Sequence, residues 1–217
     1  MSRVFIIGAT GGVGSRLGPM LVAKGHAVTG LHRNPEQAAN LSRAGITPCH
    51  GDIMQMSATD IADAAKGHDV IVFSAGAAGS GMDRTTAIDG EGPIKTIEAA
   101  RLSGISRIYL VSAFMDAGRG GERKEGFEHY MSMKRKADNA LVASALDWVI
   151  LRPGTLVSED GDGKVNAGLA IPYGAVARGN VAAALVALIE TPAIRREIVE
   201  LTDGEVPVRE AIGALLR

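Results

Sequence analysis

A glycine turn near the start of the chain narrows the folds open to it. Val4-Phe5-Ile6-Ile7 is a short apolar run that reads as a strand, and Gly8-Ala9-Thr10-Gly11-Gly12-Val13-Gly14 follows at once. The spacing is Gly-x-x-Gly-x-x-Gly. Behind it Val13, Leu17 and Leu21 share a helical face, although Gly18-Pro19 is expected to distort that helix near Pro19. A tight turn of this kind needs residues without a side-chain clash, and so does close approach of backbone to a pyrophosphate. The helix N-terminus then aims N–H groups and the positive end of its dipole at the phosphates. A plain strand–helix turn would also use glycine; the position between a strand and a helix is what favours phosphate binding. Gly8, Thr10, Gly11, Gly12, Val13 and Gly14 are the first candidate cofactor contacts.

The rest of the chain repeats the alternation. Strands are expected at 27–31, 46–49, 70–73, 107–111, 148–151 and 199–201, and helices at 34–44, 58–66, 83–103, 127–145 and 179–190. The apolar runs are continuous, as in strands covered on both faces. Such an order gives an α/β, doubly wound parallel sheet with helices on both faces. The length of 217 residues fits one domain, 1–217. Segment 116–126, rich in glycine and charge, reads as a mobile loop.

Composition removes several function classes. Lys+Arg is 23 and Asp+Glu is 24, so there is no basic excess to hold a nucleic-acid backbone. Four Phe, three Tyr and one Trp leave little for a base-stacking platform. The lone Cys49 forbids an intramolecular disulfide and reads as a small buried residue in a reducing compartment. His26, His32, His50, His68 and His129 show no metal-ligand spacing, so no metal is expected. The apolar runs are too short for a signal peptide or a membrane span. The expectation is a cytoplasmic protein with a small-molecule substrate, no nucleic-acid or membrane partner, and a monomeric or homodimeric state.

The second strand bears on the choice of cofactor. NAD binders place an acid about 20 residues past the glycines, on the adenosine ribose. Here the strand ends Leu31-His32-Arg33-Asn34, without an acid. Arg33 suits the 2′-phosphate of NADP(H), with NAD(H) still possible; its other reading is a solvated loop arginine. Asp52 and Ile53 follow the third strand, where Asp52 either accepts from the adenine amino group or serves the turn. Ser74, Ala75 and Gly76 end the fourth strand, and their small size either lets adenosine lie on the sheet or serves chain reversal.

A reactive centre is within reach of the same edge. Ser112 ends the fifth strand, and Tyr130 and Lys134 are i and i+4 on the next helix. An ammonium beside a phenol favours the phenolate and lowers its pKa. The same ammonium can bond the nicotinamide ribose. The tyrosine can then pass a proton to or from a carbonyl or hydroxyl while hydride moves, with Ser112 holding the substrate oxygen. The alternative is an ordinary amphipathic helix, since Lys134-Arg135-Lys136 also looks like a solvated face.

Taken together, the glycine turn, Leu31-His32-Arg33-Asn34-Pro35, Gly51-Asp52, 107–112, 147–156 and 177–182 resemble the short-chain dehydrogenase/reductase superfamily, in its atypical single-domain NAD(P)H-binding branch. The resemblance implies an NADP-binding Rossmann fold and the Ser112–Tyr130–Lys134 set. It implies that Pro153 and Gly154 border the nicotinamide and substrate, and that residues 154–217 form only a small substrate-side region. The usual Asn-Ala-Gly turn of the family is replaced at Ser74-Ala75-Gly76, and an acid often stands at the position of Asn180. The reading that follows is an NADP(H)-dependent oxidoreductase of a small carbonyl or hydroxyl compound, with 116–126 as a lid. An epimerase or dehydratase returning hydride to its substrate, and a non-catalytic NADP(H) redox sensor acting through a protein partner, are the alternatives.

Overall fold

The computed structural model describes residues 1–118, 121–122 and 124–216. The first half alternates β1 (Arg3–Ile7), α1 (Gly14–Ala23), β2 (Ala27–His32), α2 (Gln37–Arg43), β3 (Thr47–His50), α3 (Ala58–Ala65) and β4 (Val70–Phe73). A helical stretch follows in three pieces: α4 (Met82–Thr85), a π-helical turn (Thr86–Glu91) and α5 (Gly92–Ser103). Next come β5 (Arg107–Val111), α6 (Glu125–Val142) and β6 (Asp147–Pro153). The chain ends with β7 (Thr155–Val157), β8 (Lys164–Gly168), β9 (Ala175–Ala177), α7 (Arg178–Glu190), β10 (Glu197–Asp203), β11 (Val206–Pro207) and α8 (Val208–Gly213).

Among the described residues nine strands form one sheet, ordered β11-β8-β10-β6-β5-β4-β1-β2-β3. From β3 to β10 the neighbours run parallel; β8 is antiparallel to β10 and to β11. The chain leaves β1 toward β2 and β3, then crosses back to place β4 on the other side of β1. That reversal opens a crevice at the carboxyl ends of β1 and β4, where ligands of open α/β sheets bind.

The continuous apolar strands are buried on both faces. Val4 and Ile6 join Leu17, Leu21, Val181 and Leu185 on one side of the sheet. Phe5 and Ile7 join Ile61, Ala99, Ala100, Ala137 and Leu141 on the other. Helices α1 and α7 thus cover one face, and α3, α5 and α6 the other.

Several expectations need adjustment. Helix α1 runs on through Pro19 as one α-helix. Proline removes the bond to the Ser15 carbonyl, but Ser15 and Pro19 are both exposed, so water can take its place. Helix α2 starts at Gln37, because Asn34 and Pro35 are used in turn hydrogen bonds from Gln37 N to Asn34 O and Ala38 N to Pro35 O. Glu125 and Gly126, expected in the loop, open α6. Of that expected lid, Arg119, Gly120 and Arg123 lie outside the described residues. After Gly154 the chain adds β8, β10 and β11 to the main sheet, while β7 and β9 pair separately.

Candidate functional site

The glycine turn is built by steric exclusion. Gly8 has φ +92°, and a Cβ there would stand 2.5 Å from the Ala75 nitrogen. The end of β1 therefore lies directly against the end of β4. A Cβ on Gly14 would meet the Gly8 carbonyl oxygen at 2.1 Å. Gly11 N donates to Gly8 O at 3.0 Å and Ser15 N to Gly11 O at 2.9 Å, so the turn passes straight into α1.

Beside this turn is a cleft of about 700 Å³, within the ordinary range for ligand sites. Gly8, Thr10, Gly11, Gly12 and Val13 line it, as do Arg33, Asp52, Ile53, Ser74, Ala75 and Gly76. Ser112, Tyr130 and Lys134 line it as well. Topology brings these distant segments to one sheet edge. Gly14 lies behind the turn and is not part of the lining. Pro153 and Gly154 are also outside it: Pro153 O accepts from Phe114 N at 3.2 Å, and Gly154 N donates to Leu201 O at 2.9 Å. A Cβ on Gly154 would meet Gly174 O at 2.0 Å, so this glycine serves a crossing of the chain with itself.

The adenosine-side candidates have distinct surroundings. Arg33 is exposed, and its carbonyl is bonded by His50 Nε2 at 3.1 Å. Asp52 Oδ1 accepts from Met54 N at 3.0 Å, which is turn chemistry, yet the residue still faces the cleft. Ser74 N donates to Ile7 O at 2.9 Å, which joins β4 to β1 at the crevice.

At the other end Lys134 is buried. Its Nζ lies 3.0 Å from Asp89 Oδ1, 3.2 Å from the Val111 carbonyl and 5.6 Å from the centre of the Tyr130 ring. Asp89, fully buried on the π-helical turn, accepts from Ala77 N at 3.0 Å through its other oxygen. One turn of α6 further on, Asp138 pairs with Arg152 at 2.9 Å. The Ser112 hydroxyl lies near enough to favour the Asp138 carboxylate, but outside good hydrogen-bond geometry. Ser112 Oγ and Asp138 Oδ1 are accordingly buried without a well-formed partner. The Ser112 hydroxyl thus faces Asp138 at the wall of the cleft.

Tyr130 departs from expectation. Its pKa is raised, because burial outweighs the lowering by Lys134, and Asp89 and Asp138 add to the rise. The phenol is neutral at physiological pH. Burial works against the Lys134 ammonium, but Tyr130, Asp89 and Asp138 together hold its pKa above the ordinary lysine value. Burial also raises Asp138, against the pull of Ser112, Arg152 and Lys134. The other tyrosines are engaged elsewhere: Tyr109 donates to Leu188 O at 2.9 Å inside the core, and Tyr173 pairs with Thr155.

A dinucleotide fits these residues. The close backbone contacts at Gly8 and Gly14 hold a tight, glycine-built turn at the edge of the cleft. The family model described as NAD(P)H-binding matches residues 8–192. The chain belongs to the NAD(P)H-binding family. An uncharacterized sugar epimerase, YhfK of Bacillus subtilis, is 37% identical over 98% of this chain and 100% of its own. A Bacillus halodurans protein assigned provisionally to the NAD-dependent epimerase/dehydratases superposes with a TM-score of 0.90 at 30% identity, over 99% and 100% of the two chains. ChuY, an anaerobillin reductase of Escherichia coli O157:H7, superposes with a TM-score of 0.77 at 26% identity, over 94% and 98%. This NAD(P)H-binding protein has a Rossmann-like sheet, and no described helix is long and apolar enough to cross a membrane.

Asp89 and Arg178 are among the cleft residues of this NAD(P)H-binding chain that no sequence pattern marked. Asp89 was hidden in a stretch read as one continuous helix; the Gly90, Gly92 and Pro93 beside it were the available signal of a break. Arg178 opens α7 far along the chain, and nothing local marks it as facing the glycine turn.

Proposed function

We propose that the protein is an NADP(H)-dependent oxidoreductase that interconverts a small carbonyl compound and its alcohol. The observation that carries this reading is the neutral Tyr130 phenol sharing one cleft with Lys134 and the Ser112 hydroxyl. When bound, the nicotinamide supplies or accepts the hydride. In reduction Ser112 donates a hydrogen bond to the substrate oxygen. Tyr130 gives its hydroxyl proton to that oxygen as the carbonyl carbon is reduced, and the Lys134 ammonium, 5.6 Å from the ring centre, stabilises the phenolate left behind. The reverse direction returns the proton to Tyr130.

The preference for NADP(H) rests on Arg33, a cation lining the cleft at the end of β2 where an NAD binder carries an acid. The single Cys49 fits a cytoplasmic setting. Titration with NADPH and NADH tests the preference; tighter NADH binding defeats it. A panel of small aldehydes and ketones, read by NADPH consumption, tests the chemistry.

A second reading draws on the names of the relatives, a sugar epimerase and an epimerase/dehydratase. It uses the same cleft with hydride returned to the substrate. Turnover without net NADPH consumption would favour it over the oxidoreductase.

A further inference from the structure

We propose that Arg178 is a pyrophosphate clamp, closing from α7 over the glycine turn and completing the anion site that the turn begins. The proposal rests on the dinucleotide reading above. Residues 8–14 contain no cation, so the turn itself offers a doubly charged pyrophosphate only N–H groups and the partial charge of a helix end. A full positive charge has to come from elsewhere in the cleft.

The described cations that line the cleft are Arg33, Arg84, Lys134 and Arg178. Lys134 is neutralised by Asp89 at 3.0 Å. Arg84 bonds Ser80 Oγ at 2.9 Å on the short helix α4. Arg33 stands at the end of β2, on the adenosine side. Arg178 is the one of these that touches the turn: a Cβ on Gly12 would lie 2.6 Å from its Cδ and Nε. Glycine at position 12 therefore leaves room for a guanidinium as well as for a phosphate.

Arg178 is also held in place without being consumed. Its Nη1 donates to Ser158 Oγ at 2.7 Å, and it makes no other hydrogen bond among the described residues. Its neighbour Arg16 is fully engaged, with Gly12 O at 2.8 Å, Ser158 O at 2.7 Å and Asp160 Oδ1 at 2.8 Å. Arg16 thus fastens the 158–160 segment to the turn, and that segment in turn steadies Arg178. The planar guanidinium fork suits phosphate oxygens, which it can bond in pairs.

Calorimetric titration of the full chain with NADPH and with NADH, at several salt concentrations, tests the clamp. Arg178→Met is expected to weaken the preferred cofactor about 10- to 100-fold, the effect of losing charge-assisted hydrogen bonds. Its affinity is expected to fall less steeply with salt than that of the parent, because one screened ion pair is gone. Arg178→Lys, which keeps the charge and loses the fork, is expected to recover part of the loss. The melting temperature without cofactor is expected to stay that of the parent. Affinity within about twofold of the parent, or a loss with an unchanged salt slope, overturns the clamp while leaving the dinucleotide reading intact. A parent chain that binds neither nucleotide overturns that reading and the clamp with it.

Discussion

Lys134 Nζ stands 3.0 Å from Asp89 Oδ1, with the two side chains 5% and 1% exposed. A sequence pattern thus places a cation near Tyr130, and the fold gives that cation a buried partner on the π-helical turn. The pairing fixes where the ammonium sits, and it lets Asp89 counter the effect of Lys134 on the Tyr130 phenol.

Removing one member should be costly. Lys134→Met leaves the buried Asp89 carboxyl without its cation, which is expected to destabilise the protein by about 3–5 kcal/mol. Lys134→Met combined with Asp89→Asn is expected to regain much of that. Urea unfolding of the two variants measures the difference, and equal destabilisation would argue against a coupled pair.

Alkaline pH should dissolve the same cluster. The folded-state pKa values of Lys134 and Tyr130 are both raised. A group bound to its proton more tightly in the folded state adds stability that is complete below its unfolded value. That contribution is lost as pH rises through the raised folded value. Stability is therefore expected to fall as pH climbs above about 10. Tyr130→Phe should make the fall shallower in unfolding experiments run across that range.

Tyr130→Phe should also separate chemistry from binding. In the proposed mechanism this removes the proton donor while leaving the glycine turn untouched. Turnover on any accepted carbonyl compound is expected to drop about 10²- to 10⁴-fold. The dissociation constant for NADPH is expected to change by less than about twofold. Undiminished turnover would remove Tyr130 from the mechanism.

The glycines of the turn should not be equivalent. A Cβ on Gly14 meets backbone, the Gly8 carbonyl, at 2.1 Å, whereas one on Gly12 meets the flexible Arg178 side chain at 2.6 Å. Gly14→Ala is expected to distort the turn, with a stability loss of about 1–3 kcal/mol and loss of cofactor binding. Gly12→Ala is expected to fold normally and bind the cofactor more weakly. Thermal melting with and without NADPH distinguishes the two.

Much of this protein was legible along the chain. The strand at β1, the turn 8–14, the alternation through β6 and the residues Arg33, Ser112, Tyr130 and Lys134 follow from local rules. Backbone strain selects glycine at a tight turn, and apolar runs bounded by glycine become strands buried on both faces. Such rules act between near neighbours, so they survive without knowledge of the fold.

What lay outside local rules was decided by packing between distant segments. Asp89 faces Lys134 because a π-helical turn rotates it inward, and Arg178 reaches Gly12 because α7 packs beside α1. Gly154 serves a crossing with Gly174 instead of the cleft. The raised pKa of Tyr130 comes from burial and from two acids, one on a separate element, against a single lysine four residues away. The sequence alone determined the Rossmann-like fold and most of the polar segments that line its cleft. Only the tertiary structure decided their partners and protonation states, because burial and charge pairing depend on which distant residues share the same interior.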